Sequence, residues 1–333
     1  MPEASTDRPA ARPLAELRPS LLAAIGRGGY SEAEADLILQ EFVEAEILDM
    51  PDYGLAFLPR FLQLDGAKAR GRARLSTAAG VTSLDAGGRC AHVFQPELLS
   101  ALCEGAAGHG VHVASVRNCT SWVRGGTVTY RIAMRGLVGL CFLFTNIKIS
   151  TVPGMTAPTL GINVLSIAVP SAGTPFVYDA ALAAMPVRKL EAARRRGDPA
   201  YPYAIGVDAS GRATGEPERV ASPMPLAGER GLGLTLAAQL LAGAMLGFEE
   251  VATPDRYTAD NGILLIAIDP ARFGDAGAFA SRVERWLGEL ASGHGAAVHV
   301  PGQKYGRLER ADLDRHPVSV HPDTLRSLEV HLP

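Results

Sequence analysis

Apolar residues recur at helical spacing through Leu37, Ile38, Phe42, Val43 and Ile47, directly after Ser31-Glu32-Ala33-Glu34, a capping-box pattern. The spacing predicts an amphipathic helix over 32–48, and a second helix that runs to about Leu64 before a basic, glycine-interrupted connection. From residue 90 helical and strand textures alternate. Pro96–Ala107 and Thr127–Arg135 read as helices, and 111–118 and 137–146 as strands. The 30 residues Ile149–Tyr178 then carry no charge but hold Pro153, Pro158, Pro170 and Pro175, so a long helix is excluded. That section reads as neutral loops and one strand, suited to a cavity wall. Further helices are expected over 180–195, 232–247 and 273–290, with strands at 262–268 and 296–302 and a short strand and helix near the C-terminus. The alternation places the chain in the α/β (mixed α+β) class.

Composition narrows the function. With 32 Lys+Arg against 35 Asp+Glu the net charge is −3, and 47% of residues are hydrophobic, which favours a globular protein and gives no broad attraction to nucleic acid. The 36 glycines and 23 prolines exceed the usual ~7% and ~5%, so many shaped loops are expected. Cys90, Cys103, Cys119 and Cys141 form no CxxC pair and are expected to be reduced. Gly231–Phe248 is an uncharged stretch of 18 residues, but Gln239, its interior glycines and flanking Arg230 and Glu249 suit a close-packed buried helix better than a membrane span. The N-terminal residues lack the basic start and apolar centre of a signal peptide, so a cytoplasmic location without membrane attachment is expected.

Familiar chemical motifs are missing: there is no GxGxxG after a strand, no P-loop, no HExxH and no GxSxG. His109 and His112 make an HxxH pair without a carboxylate or thiol to complete a ligand set, so no metal site is assigned. What remains is a series of polar strand ends: Arg117–Trp122, Thr145-Asn146 and Leu160–Asn163. Strand ends beside an uncharged wall are where α/β folds hold ligands, although each Asn singly could simply cap a turn.

In order, these segments resemble the type 2 malate/L-lactate dehydrogenase family of NAD(P)-dependent oxidoreductases. The resemblance rests on Ala45-Glu46-Ile47-Leu48-Asp49-Met50-Pro51-Asp52-Tyr53-Gly54, Asn118-Cys119-Thr120-Ser121, Thr145-Asn146, Gly161-Ile162-Asn163-Val164 and Asp179-Ala180-Ala181. It continues through Val207–Gly211 with Thr214 and Pro217, Pro225–Leu234 and Pro301-Gly302-Gln303. It implies a non-Rossmann NAD(P)-binding fold with a helical second domain, a homodimer, and a small-molecule substrate held in a cleft between the domains. The domain boundaries implied are a tail at 1–12, a helical and dimerisation domain of 13–75 with 285–333, and a nucleotide domain of 76–284. Cofactor contacts fall by resemblance on Asn118, Thr120, Thr145, Asn146, Gly161, Asn163, Arg230, Gly231, Pro301 and Gly302.

The departures bear on chemistry. Where the family carries Ser-His-Gly this chain has Asp52-Tyr53-Gly54, and its second histidine is replaced by Ser121. The family's carboxylate-holding arginine aligns with Phe57, one helical turn before Arg60. Tyr53 with Asp179 is then the expected catalytic pair, and Asp52, Phe57, Arg60 and Ser121 the expected substrate contacts. Moving a proton to a carbonyl oxygen ordinarily uses an imidazole of near-neutral pKa, and a phenol with a pKa of about 10 is a weaker donor. A protonated imine already carries its proton, so hydride addition there needs no acid in the same step. The replacements therefore tilt the expectation toward NAD(P)H-dependent reduction of a cyclic imine or altered carbonyl. The alternatives are a catalytically silent relative that binds dinucleotide or acts as a scaffold, and a non-redox imine cyclisation or dehydration in the same cleft. The run Arg194-Arg195-Arg196 could meet a 2′-phosphate of NADP or answer the helix dipole, leaving NAD against NADP open.

Overall fold

The computed structural model describes residues 11–66, 70–120, 124–253, 260–292 and 298–330. Expectations for the N-terminal tail up to residue 10 and for Ser121 lie outside them. The chain divides into two compact units, one of residues 1–69 with 304–333 and one of residues 70–303.

The first unit is helical. α1 (Leu14–Arg27) and α2 (Glu32–Ile47) pack together, and the Ser31–Glu34 capping box forms in full at the start of α2. α3 (Leu58–Gly66) puts Phe61 edge-on to Phe42 of α2 at 5.2 Å. Tyr30 donates to both oxygens of buried Asp65 at 2.8 Å.

The second unit is built on a sheet of seven described strands. β1 (Arg74–Ala78), β2 (Val81–Arg89), β3 (Val111–Cys119), β4 (Val138–Thr145), β5 (Val164–Val169), β6 (Phe176–Ala181) and β7 (Asn261–Ile268) lie in the order β1-β2-β3-β7-β4-β5-β6. Only β2 and β3 run parallel; the other neighbours are antiparallel. α4 (Gln95–His109) and α5 (Gly125–Ala133) cover one face, where Leu98, Leu102, Val128 and Ile132 bury against Ala114, Val116, Ile263 and Leu265. Leu264 points to the opposite face, with Phe144 and Ala242. Burial on both faces explains why β7 reads as a continuous apolar run rather than an alternating one.

α6 (Val187–Arg196), α7 (Glu229–Ala242) and α8 (Ala276–Ala291) complete this unit, while α9 (Gly306–Arg310) and α10 (Pro322–Val330) belong to the first. The helix expected over 180–195 begins late, because Ala180-Ala181 extend β6 and Pro186 disfavours helix in the residue before it. The stretch 232–247 corrects the picture of a buried helix. α7 buries Gly231, Thr235, Ala238 and Ala242, while Leu236 and Leu240 face outward and the helix ends at Gly243. No strand forms over 298–300. Among the described residues no helix is long and apolar enough to cross a membrane.

Candidate functional site

In the helical unit the Asp52-Tyr53-Gly54 segment follows the C-terminus of α2 as a 3-10 turn over Pro51–Tyr53, with another over Leu55–Phe57. The Tyr53 amide donates to the Met50 carbonyl at 2.9 Å and the Phe57 amide to the Gly54 carbonyl at 2.9 Å. The Leu55 amide donates to Glu46 Oε1 at 2.7 Å. Burial pushes the Glu46 carboxyl up, against the pull of that amide. Asp49 is held below the usual carboxylate range by Arg307, 2.6 Å away, with Lys304 adding to the effect. Phe57 brings no charge to the site: its ring packs 6.3 Å from that of Phe42. Arg60 is exposed and donates to Gln63 at 2.6 Å.

In the sheet unit, strand register gathers most of the residues drawn from the resemblance at one edge. Asn261, the first residue of β7, is paired with Cys119 on one side and Thr145 on the other. Val164 at the start of β5 is paired with Leu143 and with Ala181 at the end of β6. Thus 118–120, 145–146, 161–163 and 181–182 share one end of the sheet.

Several of these side chains are committed to holding that end together. Asn163 is fully buried, accepting from the Thr145 amide at 3.2 Å and donating to the Thr235 carbonyl at 2.8 Å. Thr145 donates to the Ile162 carbonyl at 2.8 Å, and Asn146 accepts from the Ala252 amide at 2.9 Å. A side chain on Gly161 would stand 2.3 Å from the Thr145 carbonyl oxygen, so glycine there is a packing requirement. Asn118, at φ 53°, donates to Asp85 at 2.8 Å. Burial alone would raise Asp85, but Asn118, the Gly87 amide and Arg117 together hold its carboxyl below its ordinary value. Thr120 is buried, and its carbonyl accepts from Asn261 at 2.9 Å. Sequence reasoning missed Asn261; its one signal is an asparagine immediately before an apolar strand.

Asp179 lies on β6 opposite Ser166, whose hydroxyl is 2.7 Å from that of Thr129. Its Oδ1 is 3.4 Å from where a Gly125 side chain would begin, at the first residue of α5, and a helix N-terminus favours a carboxylate. Pro301-Gly302 docks on the start of the same strand: the Val177 amide donates to the Pro301 carbonyl at 3.5 Å. A Cβ on Gly302, at φ 99°, would fall 2.3 Å from that amide nitrogen. The segment leading into α7 runs beside the end of β6, with Ala183 bridged to Pro225 and the Leu226 amide donating to the Leu182 carbonyl. Arg230 and Gly231 sit in the first turn of α7.

His112 is buried with Nε2 2.9 Å from Thr82 Oγ1, while His109 Nδ1 lies 3.1 Å from the Gly105 carbonyl, so the pair does not converge. No metal-binding cluster occurs among the described residues. Arg194 donates to the carbonyls of Pro217 and Val220, and Arg196 pairs with Asp198 at 2.7 Å.

Together these features define an α/β protein with a largely antiparallel mixed sheet and a polar strand-end cluster, in a sequence that has no GxGxxG after a strand. The chain belongs to the malate/L-lactate dehydrogenase family, whose sequence model matches residues 13–329. It is an oxidoreductase of the dehydrogenase kind. It is 26% identical over 289 residues to 2,3-diketo-L-gulonate reductase of Klebsiella oxytoca, covering 82% of this chain and 86% of that one. L-sulfolactate dehydrogenase of Methanothermobacter thermautotrophicus is 24% identical over 319 residues, covering 90% and 92%. Among solved structures, a dehydrogenase from Sinorhizobium meliloti superposes with TM-score 0.80 at 27% identity, covering 96% of this chain and 98% of that one. The Δ1-piperideine-2-carboxylate reductase of Pseudomonas syringae pv. tomato shares the fold, with TM-score 0.82 at 24% identity over 96% and 98% of the two chains.

Proposed function

We propose that the protein is an NAD(P)H-dependent reductase of a cyclic imine or altered carbonyl substrate. The single observation carrying this reading is that the family's ordered motifs persist along the chain while both expected histidines are replaced, by Tyr53 and Ser121. Tyr53 is the proton donor or hydrogen-bond anchor, Asp179 the second catalytic group, and Asp52, Arg60 and Ser121 the polar contacts to substrate.

The start of α7 fits a dinucleotide phosphate. Its first-turn amides lack partners within the helix, and the place a Gly228 side chain would take is open within 4 Å. Arg230 supplies positive charge, partly countered by Glu229 beside it. Pro301-Gly302 and Asp179 lie along β6, which the segment entering α7 flanks, so this edge is assigned to the nicotinamide end. When bound, the reduced nicotinamide supplies a hydride. The protein's own residues orient the acceptor and furnish or hold its proton. Arg194, engaged with two carbonyls, is not assigned to a 2′-phosphate. Titration calorimetry with NADH and NADPH is expected to give saturable binding of one or both. Absence of binding to either would leave the silent-scaffold alternative standing and remove this one.

The assembly proposed is a homodimer. Its support is apolar surface without cover in one chain: Leu240 is 59% exposed on α7 and Trp286 65% exposed on α8. Sedimentation velocity should give twice the mass of one chain, and Leu240→Glu should shift it toward monomer; a wild-type monomer would overturn the assignment.

A further inference from the structure

We infer that Glu46 is the positioning residue of the Tyr53 turn, its side-chain carboxylate fixing where the phenol is presented. The inference rests on Tyr53 acting as proposed above. Tyr53 ends the first of two consecutive 3-10 turns, joined to the second by Gly54, and short turns of this kind hold poorly by their own hydrogen bonds. On its N-terminal side the segment is tied by the Tyr53 amide to the Met50 carbonyl at 2.9 Å. On its C-terminal side, the Leu55 amide opens the second turn and so has no partner within it. Glu46 Oε1 reaches across nine positions to take that amide at 2.7 Å.

The grip is also steric. A side chain on Gly54 would begin 2.0 Å from Glu46 Oε1 and 2.5 Å from its carboxyl carbon. Gly54 has φ −85°, which any residue adopts, so a side chain there would meet no backbone strain but would push the Glu46 carboxylate from its place. Glu46 and Gly54 thus interlock directly after Tyr53, whose own amide is the other anchored point. The placement runs against local electrostatics. Glu46 lies in the last turn of α2, at the negative end of the helix, a turn that contains no basic residue of its own, and burial disfavours its charged form. Nothing about helix stability calls for a carboxylate at this position; the turn does.

The test compares Glu46→Gln, which keeps an acceptor at the same reach, with Glu46→Asp, which keeps the charge but withdraws it by one methylene. Steady-state reduction monitored by nicotinamide absorbance should show kcat for Glu46→Asp down about tenfold or more, since misplacement by ~1 Å can cost up to ~10²-fold. Glu46→Gln should recover most of that loss, and the nicotinamide KM should stay within about twofold in both, a split that general destabilisation does not produce. Gly54→Ala should lose kcat in the wild-type background but add little to Glu46→Ala, where the colliding carboxylate is gone. Wild-type kcat in Glu46→Asp, or equal losses in Asp and Gln, would overturn the inference. Hydrogen exchange at the Leu55 amide reads the grip without activity: protected in wild type and Glu46→Gln, fast in Glu46→Asp. If Tyr53→Phe is silent while this protection pattern holds, the donor role fails and the grip stands; unchanged exchange in Glu46→Asp sinks the grip itself.

Discussion

Tyr53→Phe is expected to lower kcat for a 2-oxo acid by about 10²-fold, the usual scale of a lost general acid, while a cyclic iminium probe loses no more than about threefold. The difference follows from where the proton sits. Adding hydride to C=O leaves an alkoxide, and a phenol is the one side chain in the Asp52-Tyr53-Gly54 turn that can donate to it without a metal or imidazole. Adding hydride to C=N⁺ leaves a neutral amine, so the same phenol contributes only a hydrogen bond for orientation, which acts on ground and transition states alike. Both substrates are read by nicotinamide absorbance with the same enzyme preparation, so partial unfolding would lower the two rates equally. An equal loss on both would make Tyr53 an anchor rather than a donor. No loss on the 2-oxo acid would remove it from the chemistry.

The sequence was informative where one physical constraint dominated. The capping box at Ser31 and the apolar stripe behind it specified α2, because cap and burial point the same way. The apolar run at 262–268 specified a central strand, because both faces are covered. The hairpin of β1 and β2 escaped notice, since β1 is exposed at every position and carries no burial signal. α1 escaped because Pro19 falls inside it and breaks the expected pattern. The composition of 231–248 suggested burial on all sides, but apolarity says only that a surface avoids charge. It does not say whether this chain covers that surface. For the candidate site, the strand-end positions were legible as a series. What each residue does there was not. Asn163 and Asn118 hold backbone and carboxylate, and that became visible only once register had set Asn261 between Cys119 and Thr145.

Two glycines in one helix are expected to respond in opposite directions, and the contrast tests the close approach at the start of α7. Gly231→Ala would put a methyl 1.6 Å from the Leu226 carbonyl oxygen and 2.6 Å from its carbon. That obstacle is backbone, tied through the Leu226 amide to Leu182 and packed in the cluster of Leu165, Leu182 and Ala238. It cannot swing aside as a side-chain tip could. Overpacking against an immovable partner costs about 3 kcal/mol, at the upper end of the usual range. Gly233→Ala meets nothing within 4 Å, and in an exposed helical position alanine is favoured by about 0.5–1 kcal/mol. Urea unfolding should therefore move the midpoint down for Gly231→Ala and slightly up for Gly233→Ala, with unchanged slope for both. Because Arg230 and Gly231 are also assigned to the dinucleotide, Gly231→Ala should weaken NAD(P)H binding at urea concentrations where the protein is still folded, whereas Gly233→Ala should not. Equal stability of the two variants would mean that α7 relaxes away from Leu226 at little cost. The crowding at Gly231 would then not be what seats the helix against the end of β6.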